Sequence, residues 1–224
     1  MSLKPNKRGK DFWGPPIWRL GHIYGITYDR SKAIEFENFW LLLCMLLPCE
    51  YCKKNLTYKM NKCCIKNYLG NKGNAFFYTY HIHDLANQHI NQYQPETPKI
   101  SPDYDFIKEW YTINSKNEKF WKGAFWDALF ILAATLKSQY GPAFNKFLWT
   151  SSSLLPSSSF SELFQACIRK HPPEEYMRNH NDAFFYIYLL YDCTSERPGM
   201  VPVFDDLRAY YFNALGAECN ECSV

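Results

Sequence analysis

Residues 39–52 read Phe-Trp-Leu-Leu-Leu-Cys-Met-Leu-Leu-Pro-Cys-Glu-Tyr-Cys, a long apolar run that ends in a Cys-x-x-Cys pair. The run indicates a buried helix, and Pro48 is typical of the first turn of a following helix. A cysteine at a helix N-terminus has a lowered pKa and a more reactive thiolate, so Cys49 and Cys52 are predicted to be redox-active. The same pair also fits half of a zinc site, and its spacing alone does not separate the two interpretations.

The composition indicates a globular protein with a substantial core. The chain has 224 residues, of which 47% are hydrophobic and 18% are aromatic. Its net charge of +3 and the absence of a pronounced basic run give no support to nucleic-acid binding. Residues 1–10 are basic and polar and lack the apolar stretch of a secretory signal. The longest apolar run is too short and too interrupted for a predicted membrane span.

Cysteine is abundant for a chain in which we predict no secretory signal. An odd number of cysteines in such a chain favours catalytic or metal-binding roles over a disulfide scaffold. We expect Cys44, Cys167 and Cys193 to be small core residues, whereas the pairing of the adjacent Cys63 and Cys64 stays open. The nine cysteines are at positions 44, 49, 52, 63, 64, 167, 193, 219 and 222.

Hydrophobic spacing predicts an all-α fold. Apolar residues recur at helical intervals, whereas the alternation typical of strands is nowhere sustained. Residues 94–102 are punctuated by proline and are predicted to be irregular. The predicted helices of the first half are residues 13–28, 33–47, 49–58, 74–91 and 103–111.

The sequence repeats itself at a constant offset. Trp18 matches Trp126 and Phe76 matches Phe184, and both differences (126 − 18 and 184 − 76) are 108. One register kept over more than 60 residues indicates two copies of one helical unit. We therefore predict a first domain at residues 1–113, a second copy at 114–215 and a short tail at 216–224 that contains Cys219 and Cys222.

The second copy keeps the packing residues and loses the polar ones. Its counterpart of the Cys-x-x-Cys segment reads Pro-Ser-Ser-Ser-Phe at residues 156–160. We therefore expect it to retain the fold without binding or catalysing anything. The other matched pairs are His22 with Phe130, His83 with Tyr191, and Asn87 with Ser195.

Four motifs of the first copy occur in a specific order. They are Gly-x-x-x-Trp-x-x-x-His, the Cys-x-x-Cys pair, a His-Asp-x-x-Asn segment and a terminal aromatic residue. Over residues 12–111 they resemble the Erv/ALR family of FAD-dependent sulfhydryl oxidases. The Trp-Gly-Pro start and the added domain are similar to members carried by large DNA viruses. The motif residues are Gly14, Trp18, His22, Cys49, Cys52, His83, Asp84, Asn87, Ile90 and Tyr111.

The resemblance implies a bundle of four or five helices that holds FAD. Cys49 and Cys52 would be the catalytic pair, Cys219 and Cys222 a shuttle pair on the tail, and no metal would be required. The enzyme would oxidise thiols of protein substrates and reduce O2 to H2O2. The residues that the resemblance assigns to the cofactor are Gly14, Trp18, His22, His83, Asp84, Asn87, Ile90 and Tyr111.

The resemblance also implies a homodimer and, for a viral protein without a secretory signal, a place in the host cytoplasm or the virion. Two family cations are missing, because the family lysine falls on Gln92 and the family arginine on Trp110. Lys99 or Lys108 would then have to supply contacts to the FAD phosphates.

Three other functions remain open at this point. The first is a zinc-binding interaction protein that uses both Cys-x-x-Cys pairs as four ligands. The second is a thioredoxin-like reductant, which the helical pattern disfavours because that fold needs a βαβ frame around the pair. The third is a structural scaffold with a vestigial site.

Overall fold

The computed structural model describes residues 7–93, 95–96, 98–197 and 199–216. Within these residues all regular secondary structure is helical, which confirms the predicted all-α class. Four short 3₁₀ turns accompany the α-helices, at residues 30–32, 65–68, 138–140 and 173–175. The α-helices are α1 (Lys10–Ile26), α2 (Ala33–Leu46), α3 (Glu50–Lys62), α4 (Lys72–Tyr93), α5 (Tyr104–Asn114), α6 (Glu118–Ala134), α7 (Gly141–Ser153), α8 (Ser158–Lys170), α9 (His180–Cys193) and α10 (Phe204–Leu215).

The helix starts recur along the chain in two series. Helix α6 begins 108 residues after α1 (118 − 10), and α7, α8 and α9 follow α2, α3 and α4 at the same offset. Helix α10 follows α5 at an offset of only 100 (204 − 104). The offset falls from 108 to 100 because α4 has 22 residues and α9 has only 14. The sequence match of Asn87 with Ser195 is therefore wrong, since Ser195 lies beyond the end of α9.

The boundaries of α1 and α3 differ from the predicted ones. Helix α1 begins at Lys10 rather than residue 13, so Pro15 and Pro16 lie inside it and supply no N–H to the turn before them. Helix α3 continues to Lys62 rather than residue 58. Pro48 precedes the N-cap of α3 and is not part of its first turn.

The apolar run that begins at Phe39 forms the second half of α2, which packs against α3 and α7. These contacts bury Leu42, Leu43 and Leu46, whereas Leu41 and Met45 of the same stretch are 49% and 43% exposed. Phe39 of α2 stacks on Phe147 of α7 with ring centroids 5.7 Å apart. The Tyr24 hydroxyl of α1 donates a hydrogen bond to the Ser151 carbonyl at 2.9 Å.

Helix α1 lies at the centre of the bundle and packs against both α4 and α6. The two helix series are therefore joined through the α1–α6 and α2–α7 contacts, and the core continues across them. Burial of each large apolar side chain contributes about 1.5–3 kcal/mol to folding. No helix among the described residues is both long and apolar enough to cross a bilayer.

A disulfide joins Cys167 of α8 to Cys193 at the end of α9, with Cα atoms 6.2 Å apart. The sequence predicts that both are small core residues. Cys167 is indeed buried, but the bond itself was not predicted. Cys44, Cys63 and Cys64 are free thiols.

Candidate functional site

Cys49 and Cys52 form a disulfide at the start of α3, with Cα atoms 5.1 Å apart. Cys49 is the N-cap residue, and its Sγ accepts a hydrogen bond from the Cys52 N–H at 3.2 Å. Cys49 is only 4% exposed, whereas Cys52 is half-buried and lines a large cavity. The disulfide therefore faces the cavity through Cys52.

The cavity beside Cys52 has a volume of about 540 Å³, within the range of small-molecule sites. Side chains from α1, α2, α3, α4 and α5 line it, and most of its walls are apolar or aromatic. Of the eight residues assigned to the cofactor, six line this cavity: Gly14, Trp18, His83, Asn87, Ile90 and Tyr111.

The other two assigned residues do not line the cavity. His22 lies behind the wall, where its Nε2 is 3.0 Å from Nδ1 of His83. Asp84 accepts a hydrogen bond from the Gln88 side chain at 2.7 Å. His22 therefore contacts a residue of the cavity wall, His83, and Asp84 is not among the lining residues.

Four rings from three helices form one aromatic cluster at the cavity. Trp18 stacks on His83 with centroids 4.2 Å apart and an interplanar angle of 5°. Tyr111 stacks on His22 at 4.8 Å and 26°. These contacts fix the orientation of both imidazoles. They also bring together residues distant in sequence, as does the contact between His22 and His83, which are 61 positions apart.

Burial keeps both histidines neutral. It lowers the pKa of His83 to about 4, and it lowers the pKa of His22 well below 6.5, with a further contribution from the nearby His83. Between two neutral rings, one nitrogen donates its hydrogen and the other accepts it. The Nδ1 atom of His22 is buried without a hydrogen-bond partner among the described residues.

The open space beside Gly14 is part of this cavity. Gly14 is buried, yet a Cβ built on it would meet no atom of the described residues within 4 Å. Gly14 lines the cavity, so its backbone forms part of the wall and any side chain there would occupy the open space.

The sequence analysis missed polar residues on α3 and α4 that line the cavity. Cys52, Asn55 and Lys59 share one face of α3, and Lys59 is only 7% exposed and donates a hydrogen bond to the Asn55 side chain. Their spacing of three and four residues predicts that they share one face of a helix. On α4, His89 lines the cavity and its Nε2 lies 2.5 Å from the Tyr51 hydroxyl.

Two further lysines line the cavity near the start of α1. Lys10 begins that helix, and Lys99 extends from the segment before α5 to Asp11 at 3.5 Å. Of the two lysines proposed to replace the missing family cations, Lys99 is therefore at the cavity. Lys108 is not among the lining residues, and its ammonium lies 5.6 Å from the ring centre of Tyr104.

The corresponding region of the second helix series contains packed aromatic rings. Tyr211 stacks on Phe130 at 5.1 Å and 27°, as Tyr111 does on His22. Trp126 contacts Tyr191 at 5.0 Å, where Trp18 contacts His83. Ser157 caps α8 as Cys49 caps α3, because its hydroxyl accepts the N–H of the residue three positions on.

The second series also contacts the start of α3. The Glu50 carboxylate accepts hydrogen bonds from Lys137 at 2.9 Å and from Lys53 at 3.0 Å, and these lower the pKa of Glu50. The Lys53 ammonium lies 4.2 Å from the ring centre of Tyr140. The connection between α6 and α7 therefore holds the first turn of the helix that carries the cysteines.

The proposed shuttle pair, Cys219 and Cys222, lies outside the described residues. The last described residue, Gly216, follows α10. The carbonyl of Ala214 accepts a hydrogen bond from the Gly9 N–H at 3.0 Å. The end of α10 is therefore adjacent to the start of α1, where Lys10 lines the cavity.

Comparison with known proteins identified no relative of this chain. No protein-family model, curated protein or solved structure matches it. The function of the site is therefore inferred from its own geometry and chemistry.

Proposed function

We propose that this protein is an FAD-dependent thiol oxidase that introduces disulfide bonds into protein substrates and passes the electrons to O2, forming H2O2. The observation that carries the proposal is the Cys49–Cys52 disulfide at the wall of a cavity of about 540 Å³. Few functions require a disulfide next to a large cavity whose walls are mostly apolar or aromatic. Electron transfer between a dithiol and a bound cofactor is one of them.

The residues of the cavity suit FAD. The stacked pair of Trp18 and His83 presents flat surfaces to an aromatic ligand. The bare backbone at Gly14 leaves space for the ligand to lie close to α1. Lys10 and Lys99 supply positive charge suited to a diphosphate. These residues would hold the cofactor, with Cys52 next to its redox-active ring.

The cysteines would carry out the thiol chemistry. Oxidation of two substrate thiols to a disulfide releases two electrons and two protons, and it reduces the Cys49–Cys52 disulfide to two thiols. After reduction of the disulfide, the Cys52 N–H and the N-terminus of α3 would stabilise a thiolate at Cys49. When bound, FAD supplies the acceptor for the two electrons and a route to dioxygen.

Cys49 is the sulfur that we expect the substrate to attack, because Cys52 faces the cavity. Since Cys49 is only 4% exposed, the side chains around it must move before a substrate thiol can reach it. The contacts of Lys137 and Tyr140 with the first turn of α3 hold the segment next to this position.

We further propose that residues 1–113 form the Erv-like catalytic bundle, that 114–215 are a degenerate copy, and that 216–224 are a tail with a shuttle pair. The recurrence of helix starts supports the copy. The aromatic residues in place of the polar ones support its loss of function. Cys219 is three residues beyond Gly216, the last described residue.

The proposal is tested by purifying the protein and identifying any flavin released on denaturation, together with peroxide formation from dithiothreitol. We expect bound FAD and peroxide formation in the wild-type protein. Peroxide formation should be lost in Cys49→Ser and Cys52→Ser and kept in the control Cys64→Ser, because Cys64 is an exposed free thiol. A protein without flavin, or equal activity in all three variants, would refute the proposal.

The zinc-binding alternative is tested by the same sample. In this structure Cys49 and Cys52 are joined to each other, and a disulfide offers no thiolate ligands to a metal. Stoichiometric zinc that is lost in Cys49→Ser would favour the alternative over the oxidase.

A further inference from the structure

Lys59 is a buried cation at the wall of the cavity. Its side chain lines the cavity, and the residue is 7% exposed. It donates a hydrogen bond to the neutral side chain of Asn55 and forms no ion pair within the part of the chain that the structure describes. A buried charge without a counter-charge is costly to folding, so it needs a compensating role.

Among the described residues, no acidic side chain forms an ion pair with Lys59. Burial lowers the pKa of Lys59, and the positive charge of Lys59 in turn helps to lower the pKa of His89 on α4. The His89 ring is hydrogen-bonded to the Tyr51 hydroxyl. This end of the cavity therefore combines a cation with neutral hydrogen-bonding groups, which suits a ligand group that carries negative charge.

The second helix series provides a contrast at the same position. The residue 108 positions after Lys59 is Cys167 (167 − 59), which forms the disulfide with Cys193. The residue matched to Cys52 is Phe160. The cation is therefore present on the helix that carries the redox pair and absent from its counterpart without one.

We propose that Lys59 is the counter-charge for the isoalloxazine ring of the cofactor in its two-electron-reduced form, an inference that rests on the proposed function. When the Cys49–Cys52 dithiol becomes a disulfide, it gives up two electrons and two protons. FAD, when bound, would supply the acceptor for the two electrons and one of the protons, which leaves a negative charge near the ring, and the second proton would pass to solvent. A cation near the ring favours that negative charge and raises the reduction potential.

The position of Lys59 on α3 indicates that its charge would interact with the ring of the cofactor and not with the diphosphate. Lys59 is seven residues from Cys52 on the same helix face, which is about 10 Å along the axis. The diphosphate has other candidates in Lys10 and Lys99, on α1 and the segment before α5. A negative charge next to Cys52 would lie about 10 Å from Lys59, and at an effective dielectric constant of about 20 that separation alters an equilibrium roughly tenfold.

The test compares Lys59→Met with Lys59→Arg and Lys54→Met. Methionine has a similar length and removes a buried charge, a change that proteins commonly tolerate. Lys59→Gln provides a second neutral substitution. Lys54 is an exposed lysine of the same helix and serves as the matched control. The measurements are the midpoint potential of the bound flavin, from equilibration with reference dyes, and the affinity for oxidised FAD.

We expect Lys59→Met and Lys59→Gln to weaken binding of reduced relative to oxidised FAD about tenfold, which lowers the potential by about 30 mV for a two-electron couple. Lys59→Arg and Lys54→Met should keep the wild-type potential. An unchanged potential in the neutral variants would overturn the inference.

Equal weakening of oxidised and reduced FAD, or complete loss of oxidised FAD from Lys59→Met, would also overturn it, because Lys59 would then bind the cofactor in both redox states. Absence of FAD from the wild-type protein would refute the proposed function itself, so the two failures are distinguishable.

Discussion

Acidification from pH 7 to pH 4 should destabilise the cofactor-free protein by about 3 kcal/mol through His83 alone. Burial lowers the pKa of His83 from 6.5 to about 4, and the nearby Asp84 only partly opposes this effect. The difference is about 2.5 pKa units, and each unit corresponds to about 1.4 kcal/mol. His83 makes this contribution because it is held against Trp18 and His22 in the aromatic cluster.

The sign of the effect follows from proton linkage. A histidine with a lowered pKa in the folded state binds its proton more readily in the unfolded chain, so acid favours unfolding. The loss of stability should begin as the pH falls below 6.5, the unfolded pKa, and should be nearly complete at the folded pKa of about 4. Above pH 7 His83 should contribute no pH dependence.

The assay is urea unfolding of the cofactor-free protein at pH 7, 6, 5 and 4, with His83→Gln and the control His81→Gln. Acidic groups also titrate in this range, but their contribution is common to all three proteins. The stability difference between wild type and His83→Gln should change by about 3 kcal/mol between pH 7 and pH 4, in favour of the variant at low pH. The difference in the free energy of unfolding between His81→Gln and wild type should be the same at all four pH values.

A constant stability difference between wild type and His83→Gln across the pH range would refute the lowered pKa of His83. That result would mean that His83 titrates in the folded protein as it does in the unfolded chain. The imidazole would then be solvated, and the packed cluster of Trp18, His22 and His83 would be wrong.

Three further substitutions test separate features. Replacing Cys167 and Cys193 by alanine should lower the free energy of unfolding by about 3–4 kcal/mol, since the disulfide spans 26 positions; equal urea midpoints with and without the bond would contradict this. Gly14→Ala should stabilise the cofactor-free protein by about 0.5–1 kcal/mol and reduce the FAD retained on purification, because the methyl group enters the cavity; undiminished flavin content would contradict the assigned wall. Ser157→Ala should cost about 1 kcal/mol through loss of the α8 cap, measured by thermal unfolding, and an unchanged melting temperature would argue against the cap.

Much of the fold was accessible from the sequence because it depends on local patterns. Helical spacing predicted the all-α class, and the constant offset of 108 between Trp18 and Trp126 anticipated the recurrence of helix starts. The residues on the cavity side of α4, such as His83 and Asn87, could be predicted because they share one face of a single helix.

The features that were missed depend on three-dimensional context. The start of α1 was misplaced because proline usually marks the first turn of a helix, whereas Pro15 and Pro16 lie inside this one. The sequence did not reveal that α9 is shorter than α4, because the aromatic matches, such as Phe76 with Phe184, lie before the end of α9 at Cys193. Lys59 was overlooked because lysine is rarely buried, and its burial comes from helices distant in sequence.

The proposal stands on one claim, that the cavity beside Cys52 holds FAD and receives electrons from the Cys49–Cys52 pair. Anaerobic titration of the purified protein with dithiothreitol, followed by its absorbance spectrum, tests this claim most directly. We predict a yellow protein with one FAD per chain that is bleached by dithiothreitol and recovers its colour in air, whereas Cys52→Ser binds FAD but keeps its colour under the same treatment. A colourless wild-type protein, or a bound flavin that dithiothreitol bleaches equally in Cys52→Ser, would contradict the account.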